Sequence, residues 1–348
     1  MKKVKEYITI TDDVYHYASG YFTMNKWTNN GDLLLLRSKY ENLKFPNELV
    51  YYSVSEKKVK DVLYTDIAGG LSGGYLVYDD TVFLLKGKKL IAFDLNTKKE
   101  RTVCTTPEGN SWTMPHITND GKYISLHSRV ESKGKFISVN TKTGEVAISF
   151  EKKFLPPFST ANHGMICPTD PDVMFFAHEG DTRYITNRMW TYNKKTGEMR
   201  NITKQKTDEN SNLIEFFGHE GWAPDGRGMY FVKYPQSPLK PTGLGYVDLK
   251  TGKNEILFSG YPYWHVGVSK DGKYLSADTM RGCFDGTDLS EVVVADIAKK
   301  TETVIDVVHS TGKHPCHPHP QFSLDSKMLV YTIRTEDDRT TVRVAVLN

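Results

Sequence analysis

The sequence predicts an all-β fold, a seven-bladed β-propeller closed by its N-terminal strand. Three observations carry that expectation. A tight-turn mark recurs seven times, at Asn30-Gly31, Asp79-Asp80, Asp120-Gly121, Asp170-Pro171, Asp225-Gly226, Asp271-Gly272 and Asp325-Ser326, with successive marks 41 to 55 residues apart. A hairpin tip rich in Lys, Thr and Gly closes six units, at residues 55–58, 96–99, 141–144, 194–197, 249–252 and 298–301. The seventh unit runs through residues 341–348 without an outer strand, while residues 4–10 form a strand that belongs to no unit. Units of this length with about four strands each have the proportions of propeller blades. Pairing the first strand with the last sheet removes an exposed edge. A pair of β-sandwiches is the alternative, but it would not space seven turns so evenly, and residues 1–348 are read as a single domain.

Along the chain the local signals agree. Three-and-four apolar spacing is nearly absent, and short alternating runs are cut by Asp-Gly and Asn-Gly pairs, which favours strands over helices. Gly at a hairpin tip supplies the left-handed residue that a short connection needs. Gly70-Leu71-Ser72-Gly73-Gly74 matches the G-x-S-x-G of serine hydrolases. That motif works at a strand–turn–helix elbow. Here it precedes a short strand at residues 76–78, so it reads as a glycine loop between blades.

Composition narrows the function. No run is long and apolar enough to span a bilayer, and the charged start Met1-Lys2-Lys3-Val4-Lys5-Glu6 is not a signal peptide. Cys104, Cys167, Cys283 and Cys316 show no paired spacing, which suits a reducing compartment. A net charge of +3 is too mild for a nucleic-acid or anionic-membrane partner. An anionic substrate would have to be met by locally placed Arg and His.

The histidines are ordered by the repeat. His219, His265 and His319 each lie six residues before a turn aspartate, and aligning Pro168 with Pro224 puts His163 at the same position. These residues should begin the innermost strands of four adjacent blades and ring one mouth of the channel. His317, two residues before His319, shares its face on an extended chain. The segment Lys313-His314-Pro315-Cys316-His317-Pro318-His319-Pro320-Gln321 alternates prolines with imidazoles. The prolines bar a helix and keep the chain extended. Converging imidazoles suit a borderline cation such as Mn, Zn, Ni or Fe. Arg188, at the start of a strand, offers a fork for a carboxylate.

Taken with His163, His178-Glu179-Gly180, Arg188-Met189-Trp190, Gly218-His219-Glu220-Gly221-Trp222, His265 and His317-Pro318-His319-Pro320, the chain resembles the oligogalacturonate lyases. The likeness covers about residues 155–325. Members are cytoplasmic seven-bladed propellers that cleave short pectin fragments by metal-dependent β-elimination. The resemblance implies a manganese-type ion on His265, His314, His317 and His319, with His314 standing where the family has Gln. It implies His219 as the base, Arg188 as the charge-stabilising group, and a small acidic oligosaccharide as substrate. His163, His178 and Glu179 are candidates for binding that substrate. Two other functions fit the same pattern: a lyase or epimerase acting on another uronate oligosaccharide, and a non-catalytic TolB-like propeller that binds a protein partner.

Overall fold

A computed structural model describes residues 2–39, 48–65, 67, 74–107, 112–130, 133–310 and 316–348, nearly all of them strand, turn or short connection. After β1 (Val4–Thr9), the chain folds into antiparallel four-stranded sheets, each built from consecutive strands. The first is β2 (Tyr15–Ala18), β3 (Leu33–Lys39), β4 (Glu48–Ser53) and β5 (Lys58–Thr65). The second is β6 (Tyr75–Tyr78), β7 (Thr81–Lys86), β8 (Lys89–Asp94) and β9 (Glu100–Thr105). The third is β10 (Thr113–Ile117), β11 (Tyr123–Val130), β12 (Lys133–Asn140) and β13 (Val146–Lys152). β14 (Thr160–Ile166), β15 (Val173–Glu179), β16 (Met189–Asn193) and β17 (Met199–Thr203) follow. Next come β18 (Phe217–Trp222), β19 (Gly228–Lys233), β20 (Gly243–Asp248) and β21 (Asn254–Phe258).

The remaining strands form one eight-stranded sheet made of two runs. One run is β22 (Tyr263–Val268), β23 (Tyr274–Thr279), β24 (Leu289–Asp296) and β25 (Thr301–His309), with the short helix α1 (Gly282–Asp285) between β23 and β24. The other is β26 (Gln321–Phe322), β27 (Met328–Arg334), β28 (Thr340–Leu347) and β1. The two runs meet at a single pair, His309 with Arg334.

The turn marks act as the sequence predicts. Gly31, Asp80, Gly121, Gly226, Gly272 and Ser326 all have positive φ, and so do the hairpin-tip residues Lys57, Lys98, Gly144, Gly197, Gly252 and Lys300. The turn at Asp170-Pro171 makes do without a left-handed residue. Gly70-Leu71-Ser72-Gly73 lies outside the described residues.

The chain divides into two compact units, Met1–Gly73 with Gly260–Asn348, and Gly74–Ser259. In the first, the N-terminal strand finds its partner at the C-terminus: Tyr7 pairs with Ala345 and Ile8 with Val344. Ile8 and Ile10 are buried among Trp27, Leu33, Val330, Val342 and Val344. In the second, Phe175, Met189, Phe217, Trp222 and Phe231 form one cluster, and Phe136, Met174 and Phe176 form another. Apolar alternation on each strand supplies these side chains, so burial is continuous from sheet to sheet within a unit.

Removing residues 1–10 exposes the β28 edge and strips Ile8 and Ile10 from the core. Each buried isoleucine is worth ~1.5–3 kcal/mol. The truncated chain is therefore expected to unfold at a clearly lower denaturant midpoint, and an unchanged midpoint would contradict this account.

Candidate functional site

In the first unit, His265 sits on β22 and His317 and His319 lie in the extended segment leading into β26. All three are buried, and one nitrogen from each lies within 4.8 Å of the others. The alternating Pro318 and Pro320 keep the backbone extended, and the rings of His317 and His319 stand 5.3 Å apart at 87°. His314, the fourth expected ligand, lies outside the described residues.

The proton positions follow from the partners. Asp278, opposite His265 on β23, accepts from the His265 amide at 2.9 Å and from His265 Nδ1 at 2.8 Å. Its other oxygen accepts from the His319 amide at 3.0 Å. A carboxylate only accepts, so His265 carries its proton on Nδ1 and leaves Nε2 as a lone pair. His319 Nδ1 lies 3.3 Å from the Gly20 carbonyl, which fixes the same tautomer. The two Nε2 atoms then face each other at 3.2 Å. Two nitrogens at that distance share a proton or a cation, and a nitrogen set of this kind suits a divalent transition metal. Burial pushes the Asp278 carboxyl up to about 6, while the His319 and His265 amides act against the shift.

Aromatic rings close the centre. Tyr21 meets His319 edge-on at 5.1 Å, Phe22 lies 5.3 Å from His265, and Trp264 lies 4.2 Å from His317. Gln321 holds the Tyr21–Phe22 segment by donating to the carbonyls of Phe22 at 3.1 Å and Met24 at 2.8 Å. Beneath it, Lys26 is fully buried and donates to the Tyr21 carbonyl, and burial draws its ammonium well below the usual lysine range.

The second unit carries a different cluster. Arg188, just before β16, is buried between two carboxylates. Its Nε donates to Glu220 at 2.6 Å, its Nη1 to Glu179 at 3.2 Å, and its Nη2 to Glu179 at 3.3 Å and Glu220 at 3.5 Å. His163 stands between the same two acids, 3.9 Å from Glu179 and 3.8 Å from Glu220. Burial acts to raise the Glu179 carboxyl, but the Arg188 and His163 charges outweigh it and hold the group at about 2. Glu220 lies lower still: burial again acts upward, and Arg188 with His163 overcomes it. His219 packs edge-on against Tyr234, its Nδ1 3.0 Å from the phenol oxygen. Burial raises the Tyr234 phenol, with the Arg188 charge opposing, so the hydroxyl keeps its proton. Gly218 makes this approach possible, because a Cβ there would stand 2.1 Å from the Tyr234 oxygen.

The repeat register is reproduced in part. His163, His219 and His319 all take left-handed backbone, at φ 52°, 52° and 47°. For His163 and His219 this coincides with a β-bulge that turns the side chain out of the alternation. His265 lacks the left-handed φ, because its amide is drawn to Asp278 instead.

The structure brings together His265, His317 and His319 in one unit and His163, Glu179 and Arg188 in the other. His178 lies apart from the second cluster's acids: its ring stacks on Phe154 at 3.7 Å, with Nδ1 2.8 Å from the Asn187 side chain and Nε2 2.6 Å from the Phe158 carbonyl. Both ring nitrogens are therefore engaged within the protein. Sequence reasoning missed Asp278, Tyr234 and the role of Glu220. The repeated His-Glu pair, at 178–179 and 219–220, was a visible signal for Glu220. Asp278 and Tyr234 had no comparable mark.

A buried three-histidine centre in one unit and an Arg–carboxylate–histidine cluster in the other, both on antiparallel sheets, mark an all-β, propeller-like protein with a candidate cation site. The chain belongs to the oligogalacturonate lyase family, whose sequence profile matches residues 112–347. An oligogalacturonate lyase of Dickeya dadantii (strain 3937) is 24% identical over 372 residues, covering 93% of this chain and 88% of that protein. Among solved structures, an oligogalacturonate lyase in complex with manganese aligns over 100% of this chain and 99% of its own, with a TM-score of 0.77 and 21% identity. A second, from Vibrio parahaemolyticus, aligns over 99% and 98%, with a TM-score of 0.76 and 18% identity. The likeness thus extends well beyond residues 155–325, and the all-β fold is one shared with these proteins.

Because Glu179 and Glu220 titrate lower in the fold than their ordinary value of 4.5, their contribution to stability is present above that pH and is lost as the pH falls below it. Glu220→Gln leaves a buried arginine under-compensated and should cost ~3–5 kcal/mol at neutral pH. The same change should flatten the acid-side fall in stability, as read from urea midpoints across that range.

Proposed function

We propose that this protein cleaves short galacturonate oligomers by metal-dependent β-elimination. The convergence of the His265, His317 and His319 nitrogens, with tautomers set by Asp278 and Gly20, carries the reading. Manganese is the proposed ion, in keeping with the metal carried by a solved relative, with Zn, Fe or Ni also suited to imidazole ligands. His314 remains the proposed fourth ligand. A cation held there supplies Lewis-acid neutralisation of a uronate carboxylate, which makes the adjacent C5 proton removable.

The chain's own residues divide the remaining work. His219 takes the C5 proton. For that, its Nδ1–H donates to Tyr234 and its Nε2 presents the lone pair, so Tyr234 acts as a positioning residue. Arg188 offers charge stabilisation to the substrate. Four of its N–H contacts go to Glu179 and Glu220, which leaves one Nη1 proton for an oxygen that gains charge. His163 and Glu179, in contact within the same cluster, would meet sugar oxygens. The C5–H and C4–O4 bonds break, the C4=C5 double bond forms, and the proton taken from C5 is returned to O4 as it leaves, directly or through solvent, giving a 4,5-unsaturated uronate and a free hydroxyl with no net water consumed.

The seven groups of four strands are read as seven blades of one propeller, with β1 completing the last. No helix among the described residues is long and apolar enough to cross a membrane. All four cysteines are free thiols, which supports the cytoplasmic location we propose.

The direct test is the ultraviolet absorbance of the conjugated product on incubation with digalacturonate and trigalacturonate. Manganese should support turnover, chelator should abolish it, and His219→Ala should cost at least ~100-fold. A manganese-loaded protein that leaves these oligomers intact would end the elimination reading, and near-normal turnover by His219→Ala would remove His219 as the base. Tyr234→Phe is expected to lower kcat about tenfold with KM little changed, since it disorders the base without touching substrate. Equal losses in kcat and folding stability would instead mark Tyr234 as a packing residue.

A further inference from the structure

The first unit contains a cavity of about 290 Å³ that none of the roles above uses. Trp264, Met280, Cys283, Asp288, Ser310 and Arg334 are among the residues that line it. Its place in the fold follows from Trp264, which precedes His265 on β22. The indole lies 4.2 Å from the His317 ring and stacks on His265 at 5.2 Å and 20°. One side chain therefore borders both the histidine centre and the cavity.

Size and chemistry point to the same occupant. The volume falls at the small end of ligand sites, which run ~300–1,000 Å³, and suits one sugar ring better than a chain. Trp264 is half-buried, and the indole surface it turns to the cavity can meet the C–H face of a pyranose, because aromatic surface is apolar and weakly attracts polarised hydrogens. Arg334, on β27, reaches the cavity with its side chain 27% exposed. Its Nε donates to Asp338, while its Nη1 stands 3.7 Å from Asp288, beyond hydrogen-bond distance. Among the described residues, neither Nη group makes a hydrogen bond, so the end of the fork is available to a planar carboxylate. Asp288, on the same wall, has an oxygen 2.9 Å from His309 Nδ1.

We propose that this cavity is the subsite for the uronate ring adjoining the one held at the histidine centre, stacked on Trp264 with its own carboxylate on Arg334. The proposal rests on the oligogalacturonate reading above for the identity of its ligand. It assigns Arg334 a part in recognising the free acid, and Trp264 a part in recognising the ring.

Cys283 gives a direct reporter of occupancy in the full-length, manganese-loaded protein. It is exposed, whereas Cys167 and Cys316 are buried and burial raises the Cys104 thiol. Neutral iodoacetamide should therefore modify Cys283 first, and trigalacturonate in large excess should slow that reaction several-fold. In parallel, Arg334→Gln should reduce the preference for free trigalacturonate over its methyl ester about tenfold, the size expected for losing a charge-assisted pair. Unchanged alkylation of Cys283 by a protein that turns over the trimer would overturn the subsite, as would an Arg334→Gln variant with its preference intact. Protection of Cys283 without any unsaturated product would uphold the subsite while removing the elimination chemistry.

Discussion

Asp278 is the group on which the histidine centre depends. Its two oxygens accept from the His265 amide, the His265 ring and the His319 amide, so one buried carboxylate sets the position of a strand, a side chain and a neighbouring segment together. Two of those bonds fix backbone and one fixes a tautomer. The tautomer matters most for chemistry, because a proton on the other nitrogen would close the site to a cation. An imidazole orients as a ligand only when its second nitrogen is anchored, and here the anchor is an anion in a dry environment. Burial raises the cost of that charge, and the hydrogen bonds that offset the cost are the same ones that align the ligands.

The Arg188 cluster solves the opposite problem. One guanidinium is surrounded by two carboxylates, so the cluster holds an excess of negative charge unless a nearby imidazole is protonated. His163 stands between both acids, 3.9 Å from Glu179 and 3.8 Å from Glu220. A buried arginine fixed by two acids cannot swing to follow a substrate. Its remaining N–H therefore points in a set direction. Tyr234 does for His219 what Asp278 does for His265, with a neutral hydroxyl in place of an anion.

Much of the fold was legible because it repeats. A turn that needs a left-handed residue leaves the same mark wherever it occurs, and six of the seven turn marks and all six hairpin tips carry such a residue. The orphan strand at residues 4–10 and the missing outer strand after β28 implied each other before any coordinates, and β1 pairs with β28. The histidines His265, His317 and His319 were legible for a similar reason, since register in a repeat converts spacing along the chain into position on a sheet. His178 was harder to read. It occupies a suggestive place in a motif, but its ring is held by Phe154, Asn187 and Phe158, and such partners leave no signature in spacing.

The sequence by itself determined the strand order, the turns, the three clustered imidazoles and the arginine, because each depends on local propensity or on the period of the repeat. Tertiary structure alone decided which groups hold them. Asp278 lies thirteen residues from His265 and becomes its partner only through antiparallel pairing of β22 with β23. Glu220 reaches Arg188 across thirty-two residues, and Tyr234 reaches His219 past a glycine that admits it. Hydrogen bonds of this kind are short-ranged and directional, so they exist only once packing has brought their atoms within about 3 Å. The clustered side chains could be named from the chain, but the partners that fix their tautomers could not.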